Sequence, residues 1–174
     1  VAYRQKDLKG SLGYLAHSRD LDPKNFGVHF FFGIVCVEQD LLIDATKSLK
    51  EARALAPENP YVNYALGSVL MQGSEPRDGL PYLQKYCRLK PEDPRGRLAL
   101  GAAYFQVGEQ ALAQKELAAV VAFPQAAAGA NYFLGRIAKL EGNRQEAYRV
   151  IRLSLKANPD FGDALVELGQ LEMR

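Results

Sequence analysis

Side chains able to do covalent or acid–base chemistry are few in this 174-residue chain, and they do not converge. The two histidines, His17 and His29, fall on different predicted helices and match no metal-ligand spacing. Cys36 and Cys87 also fall on separate helices, so two buried or half-buried thiols are expected, neither a bridge nor a metal pair. No phosphate-binding loop, nucleophile elbow or zinc-protease motif occurs, and the acidic residues sit at predicted turns and exposed faces. No catalytic residue, metal or cofactor is therefore expected. The side chains that stand out suit recognition: Tyr61, Tyr64 and Tyr132, with Arg95 and Arg136. A tyrosine offers an apolar ring with a hydroxyl handle, and an arginine offers a fork that pairs with carboxylates. Binding energy tends to concentrate on these two residue types.

The elements that must position them come from a repeat. Gly33, Gly67, Gly101, Gly135 and Gly169 are spaced 34 residues apart, each after a bulky apolar residue: Phe32, Leu66, Leu100, Leu134 and Leu168. Twelve residues after each of the first four glycines stands a small residue: Ala45, Gly79, Ala113 and Ala147. Four further on stands a large apolar one: Leu49, Leu83, Leu117 and Ile151. Pro23, Pro57, Pro91 and Pro159 close the repeats on the same grid, with Pro124 one place early. A period this strict means one supersecondary unit used repeatedly.

The pattern resembles the tetratricopeptide repeat, with its Leu-Gly, later Ala, large residue and closing Pro. The match covers nearly the whole chain. It departs from the family at the usual Trp, replaced by His29, Asn63, Arg97 and Asn131. It also departs at the aromatic three residues after the glycine, which survives only as Tyr104. The resemblance implies an all-α fold, a right-handed α-solenoid of stacked antiparallel helix pairs forming one domain. Its repeats would be a partial one over 1–25, four complete ones over 26–59, 60–93, 94–127 and 128–161, and a first helix alone over 162–174.

Each repeat is expected to hold a helix A and a helix B. In the third these are Pro94–Gln106 and Gln110–Val121, turning at Gly108; the fourth turns at Gly142. Asn25, Asn59-Pro60 and Asp93-Pro94 read as N-caps, two of them followed by a proline whose missing N–H is harmless at the first helical position. Two irregularities stand out. Pro81 lies beyond the expected first turn of a helix B, where it should remove a hydrogen bond and bend the helix. The join over 123–130 lacks a capping side chain, with Ala127 in that slot, and is expected to be the softest junction.

In the family, positions 2, 5, 9 and 12 of helix A line a concave groove. Carried onto this sequence, the stripe is Gly27, Phe30, Ile34 and Val37, then Tyr61, Tyr64, Ser68 and Met71. The third repeat gives Arg95, Leu98, Ala102 and Phe105, and the fourth Gly129, Tyr132, Arg136 and Lys139. The peptide-binding candidates on it are Phe30, Ile34, Tyr61, Tyr64, Ser68, Met71, Arg95, Leu98, Phe105, Tyr132 and Arg136. Phe30, Ile34, Val37 and Leu98 have packing as an equal alternative, whereas Tyr61, Tyr64 and Tyr132 are expected to be exposed. Chaperone-binding relatives clamp a terminal carboxylate with Lys at position 5 and Asn at position 9. Those pairs here are Phe30/Ile34, Tyr64/Ser68, Leu98/Ala102 and Tyr132/Arg136, so that clamp is absent.

Composition excludes other classes. A net charge of +2 is too small and dispersed for nucleic acid. No apolar run approaches the ~20 residues of a membrane span, and a soluble protein is expected, in the cytoplasm ahead of the periplasm. Outward cations on helix B, including Lys47, Lys50, Lys85, Arg88, Arg149, Arg152 and Lys156, read as a solvated face. The first residue is Val1, and the chain reads as a segment that cuts through a repeat at each end. Leu165 and Leu168 should dock, leaving Leu171 and Met173 uncovered, which points to a continuing chain or to self-association through this end. The expected function is a non-catalytic scaffold that binds a partner peptide or helix in the groove. The alternative is a regulatory or substrate-recognition arm of a larger enzyme or of a secretion or assembly complex. A purely structural self-assembly module is a third reading.

Overall fold

A computed structural model describes residues 8–73 and 76–173. The first seven residues of the partial repeat expected over 1–25 lie outside them. Among the described residues there are ten α-helices and no strand. Contacts divide the chain into two compact units, Val1–Leu89 and Lys90–Arg174, where the sequence suggested one domain. Elements of a repeat array touch only their near neighbours, so such a division can fall between repeats without interrupting the period.

The first unit holds α1 (Leu8–Leu21), α2 (Phe26–Glu38), α3 (Leu42–Leu55), α4 (Pro60–Gln72) and α5 (Leu80–Leu89), with a 3-10 turn over Pro76–Gly79 before α5. The second holds α6 (Pro94–Gln106), α7 (Gln110–Ala118), α8 (Pro124–Leu140), α9 (Arg144–Ala157) and α10 (Gly162–Glu172). Within each unit, helices joined by short turns pack as pairs: α2 on α3, α4 on α5, α6 on α7 and α8 on α9.

The caps are where the sequence places them. The Asn25 side chain accepts from the Val28 amide, Asn59 from those of Tyr61 and Val62, and Asp93 from that of Arg95. These bonds satisfy amides that have no partner inside the helix. The turn between paired helices needs a left-handed residue, supplied by Gly108 (φ +85°) and Gly142 (φ +79°). Asp40 (φ 58°) takes the equivalent place in the first complete repeat, two periods before Gly108, because Asp tolerates that conformation better than most residues.

The glycine grid closes each pair. A Cβ on Gly33 would stand 2.6 Å from Leu49 Cγ and 3.4 Å from the Ala45 carbonyl oxygen. Gly101 faces Leu117 and the Ala113 carbonyl, and Gly135 faces Ile151 and the Ala147 carbonyl, in the same way. The small and large residues of the repeat are thus the two groups that touch the glycine. In the second repeat even alanine is too large at the small position, since a Cβ on Gly79 would meet the Gly67 carbonyl at 2.6 Å.

Three expectations change. Pro81 does not bend a helix: the Pro76–Gly79 turn delays α5 to Leu80, which puts Pro81 in the first turn, where no helical amide bond is lost. The join at 123–130 lacks a side-chain cap, as expected, but it is helical and packed. α8 begins at Pro124, a turn earlier than expected, and buries Ala126 and Ala130 among Ala113, Leu117, Val120 and Ile137. Pro124 takes the first helical position in place of a side-chain cap. Amides of Ala128–Asn131 should therefore exchange at least ~10-fold more slowly than those of Ala118–Ala122, as measured by hydrogen exchange with NMR; equal rates would place the helix start at Ala128 after all.

The third concerns α10. Its inward stripe is Ala164, Glu167, Leu168 and Leu171, at helical spacing. Leu171 is buried, while Leu165 and Met173 are exposed, Met173 at 81%. Leu165 lies one residue, or about 100° of helix, from that stripe.

Candidate peptide-binding stripe

Helix A residues are placed by their caps and by the grid, which leaves the stripe positions in different surroundings. In the first unit they differ sharply in surroundings. Phe30 stacks on Phe26 with ring centroids 5.6 Å apart and packs against the core with Val37. Phe31, which the sequence reading passed over, meets the Phe30 ring edge-on at 5.5 Å and is 50% exposed. A signal for it existed: the same position is Ala65 and Ala99 in the next two repeats, so the fold does not require a large ring there. Ile34 and Ser68 are half-buried. Tyr64 tilts against Tyr86 at 4.9 Å, and Tyr61 is 55% exposed. Met71 is buried, lying against Gly79 in the helix pair.

In the second unit the stripe is largely occupied by the chain itself. Leu98 fills the space beside Gly129. Phe105 packs on Phe133 at 5.5 Å and lies under the Arg136 guanidinium, 4.8 Å from the ring centre. Tyr132, expected to be open, is only 9% exposed: it contacts Phe161 and Phe133, and its hydroxyl accepts from Arg136. Arg136 also lies 3.9 Å from the carboxylate of Glu167, which is buried and pairs with Lys139. Arg95 forks onto its own cap, Nε and Nη2 donating to the Asp93 oxygens at 3.0 and 2.9 Å. Ala102 is half-buried.

The residues in place of the family's Trp have a definite task. His29 Nε2 lies 2.8 Å from the Pro23 carbonyl oxygen, and Asn63 Nδ2 donates to the carbonyls of Pro57 (3.0 Å) and Asn59 (2.7 Å). Asn131 donates to the Ala127 carbonyl, and Arg97 instead pairs with Glu116. In the first two complete repeats this side chain ties helix A to the closing proline. Cys36 is buried and Cys87 half-buried, and they form no disulfide; burial and then the nearby Asp44 push the Cys36 thiol up to about 11, so it stays protonated at neutral pH. Among the described residues no group of His, Cys, Asp or Glu could hold a metal ion, and no helix is long and apolar enough to cross a membrane.

No protein-family model matches the chain, and no curated protein matches it. Solved structures do. YrrB, a TPR protein described as having an unusual peptide-binding site, is 25% identical over 95% of this chain and 85% of its own, with a TM-score of 0.79. MamA is 22% identical over 91% of this chain and 92% of its own, with a TM-score of 0.80. TTC0263, a thermophilic TPR protein of Thermus thermophilus, is 17% identical over 99% of this chain and 94% of its own, with a TM-score of 0.72. With the glycine contacts and paired helices of both units, these likenesses show that the chain is an all-α, solenoid-type array of tetratricopeptide repeats.

Proposed function

We propose that this chain is a protein-interaction scaffold that holds a partner peptide or helix on the helix A stripe of its first unit, centred on Tyr61. The carrying observation is the contrast along the stripe. Tyr132 is only 9% exposed, packed on Phe133 and Phe161, whereas Tyr61 is 55% exposed on a stripe that includes half-buried Tyr64, Ile34 and Ser68. In the fourth repeat, position 2 (Gly129) lies against position 5 of the preceding repeat (Leu98). Carried to the second repeat, the same register would set Tyr61 next to Phe30 and so next to exposed Phe31. Such a surface suits an apolar anchor with a hydrogen-bonding group beside it. The peptide-binding site described for YrrB, on the same fold, supports this reading.

Affinity capture with mass spectrometry would identify a partner, and a peptide from it supplies the test. Tyr61→Ala should weaken binding about tenfold, corresponding to ~1.4 kcal/mol, and leave the unfolding midpoint unchanged. Tyr132→Ala should do the reverse, lowering the midpoint with affinity intact. If Tyr61→Ala binds as the wild type does, the stripe is not the site.

A further inference from the structure

A second recessed site lies in the first unit, on none of the stripe positions. It is a cavity of about 480 Å3 bounded by α3, α4, the Pro76–Gly79 turn and α5. Leu70, Pro81 and Tyr82 give it apolar walls. Five of its ten lining residues are cationic, and Asp78 is the single acid among them. Arg53 is held in place: its guanidinium lies 4.9 Å over the Tyr82 ring, and its Nε donates to Asn63 Oδ1 at 3.4 Å. Lys85 pairs with Glu58. Lys50 and Arg88 are exposed and form no ion pair with a described residue.

These cations could be a solvated face, as helix B often has. The third repeat argues against that. At the positions of Lys50, Lys85, Arg53 and Arg88 it carries Ala118, Ala119, Val121 and Ala122, so a helix B of this chain does not need charge there. The fourth repeat keeps Arg152 and Lys156 at the positions of Lys50 and Arg88, so what sets the first unit apart is the cavity that its two helices frame beside these charges.

We propose that this cavity binds an acidic segment of a partner protein, with its carboxylates on Lys50 and Arg88 and an aliphatic or aromatic side chain between them on Tyr82 and Leu70. Charge complementarity selects the acid. The cavity volume and apolar walls select a peptide over a small inorganic ion, which would leave both unused. This site is independent of the Tyr61 surface, and separate substitutions disable each.

The probe is a short fluorescent peptide alternating Glu and Leu, titrated with the full chain and read by anisotropy. Saturable binding is expected, with about tenfold loss in the Lys50→Glu/Arg88→Glu variant and about tenfold loss when the peptide's Glu residues become Gln. The variant's thermal unfolding should match the wild type, and Tyr61→Ala should bind this probe normally. Absence of binding by the wild type, equal binding of the Gln peptide, or undiminished binding by the variant would each overturn the proposal. So would loss of binding in Tyr61→Ala, which would put the probe on the stripe. Displacement of the peptide by inorganic phosphate at equal concentration would overturn it in favour of a small-anion site.

Discussion

Replacing Gly67 with Ala should destabilise the chain by about 2 kcal/mol, while the same change at Gly169 should stabilise it by up to about 1 kcal/mol. Both glycines are helical and occupy the same place in the repeat. A Cβ on Gly67 would lie 2.7 Å from Leu83 Cγ and 3.1 Å from the Gly79 carbonyl oxygen, so a side chain and a backbone must both move. A Cβ on Gly169 meets nothing within 4 Å, and only the better helix propensity of alanine remains. Urea unfolding of the two variants gives the comparison. Leu83→Ala supplies an internal check, since it removes the obstructing atoms. In that background Gly67→Ala should lose at least about 1 kcal/mol of its effect. Two variants that shift stability in the same direction would show that the grid glycines do not act through close approach.

The second large effect is expected at Asn63. Its side chain is fully buried and donates two hydrogen bonds to the turn that closes the preceding repeat. Asn63→Ala leaves the Pro57 and Asn59 carbonyls without that donor and opens space in the core, a loss of about 2–3 kcal/mol. His29→Ala, with a single such contact, should lose about 1–2 kcal/mol. Arg97→Ala, whose half-exposed side chain pairs with Glu116, should lose under about 1 kcal/mol. Chemical denaturation of the three variants would establish the order, and an Arg97 effect equal to that of Asn63 would refute a tethering role for this position.

What the sequence made legible was the part of the fold fixed by contacts inside one repeat. Gly33 with Ala45 and Leu49 is such a contact, and so are the caps at Asn25, Asn59 and Asp93, because both partners keep a constant separation. The start of α8 was less legible. Pro124 departs from the grid by one residue, and its effect depends on the pocket that receives Ala126 and Ala130. The candidate site was legible as a set of positions but not as a surface. Whether Tyr132 is open depends on Phe161, 29 residues further along the chain, and no local pattern reports that distance. The cationic cavity was missed for a related reason. Lys50 and Arg88 read as solvated residues of separate helices until the Pro76–Gly79 turn brings α5 beside α3 and α4.

The contact between glycine and helix B has a consequence for how such a chain can change over evolutionary time. Gly33 reaches Leu49, and Gly135 reaches Ile151, each 16 residues on and within its own repeat. Copying or deleting one full period would carry both partners of each contact together and break none of them. A shift of a few residues inside a period would separate them. Array length is thus free to vary in steps of one repeat, while the interior of each repeat tolerates almost no change in length.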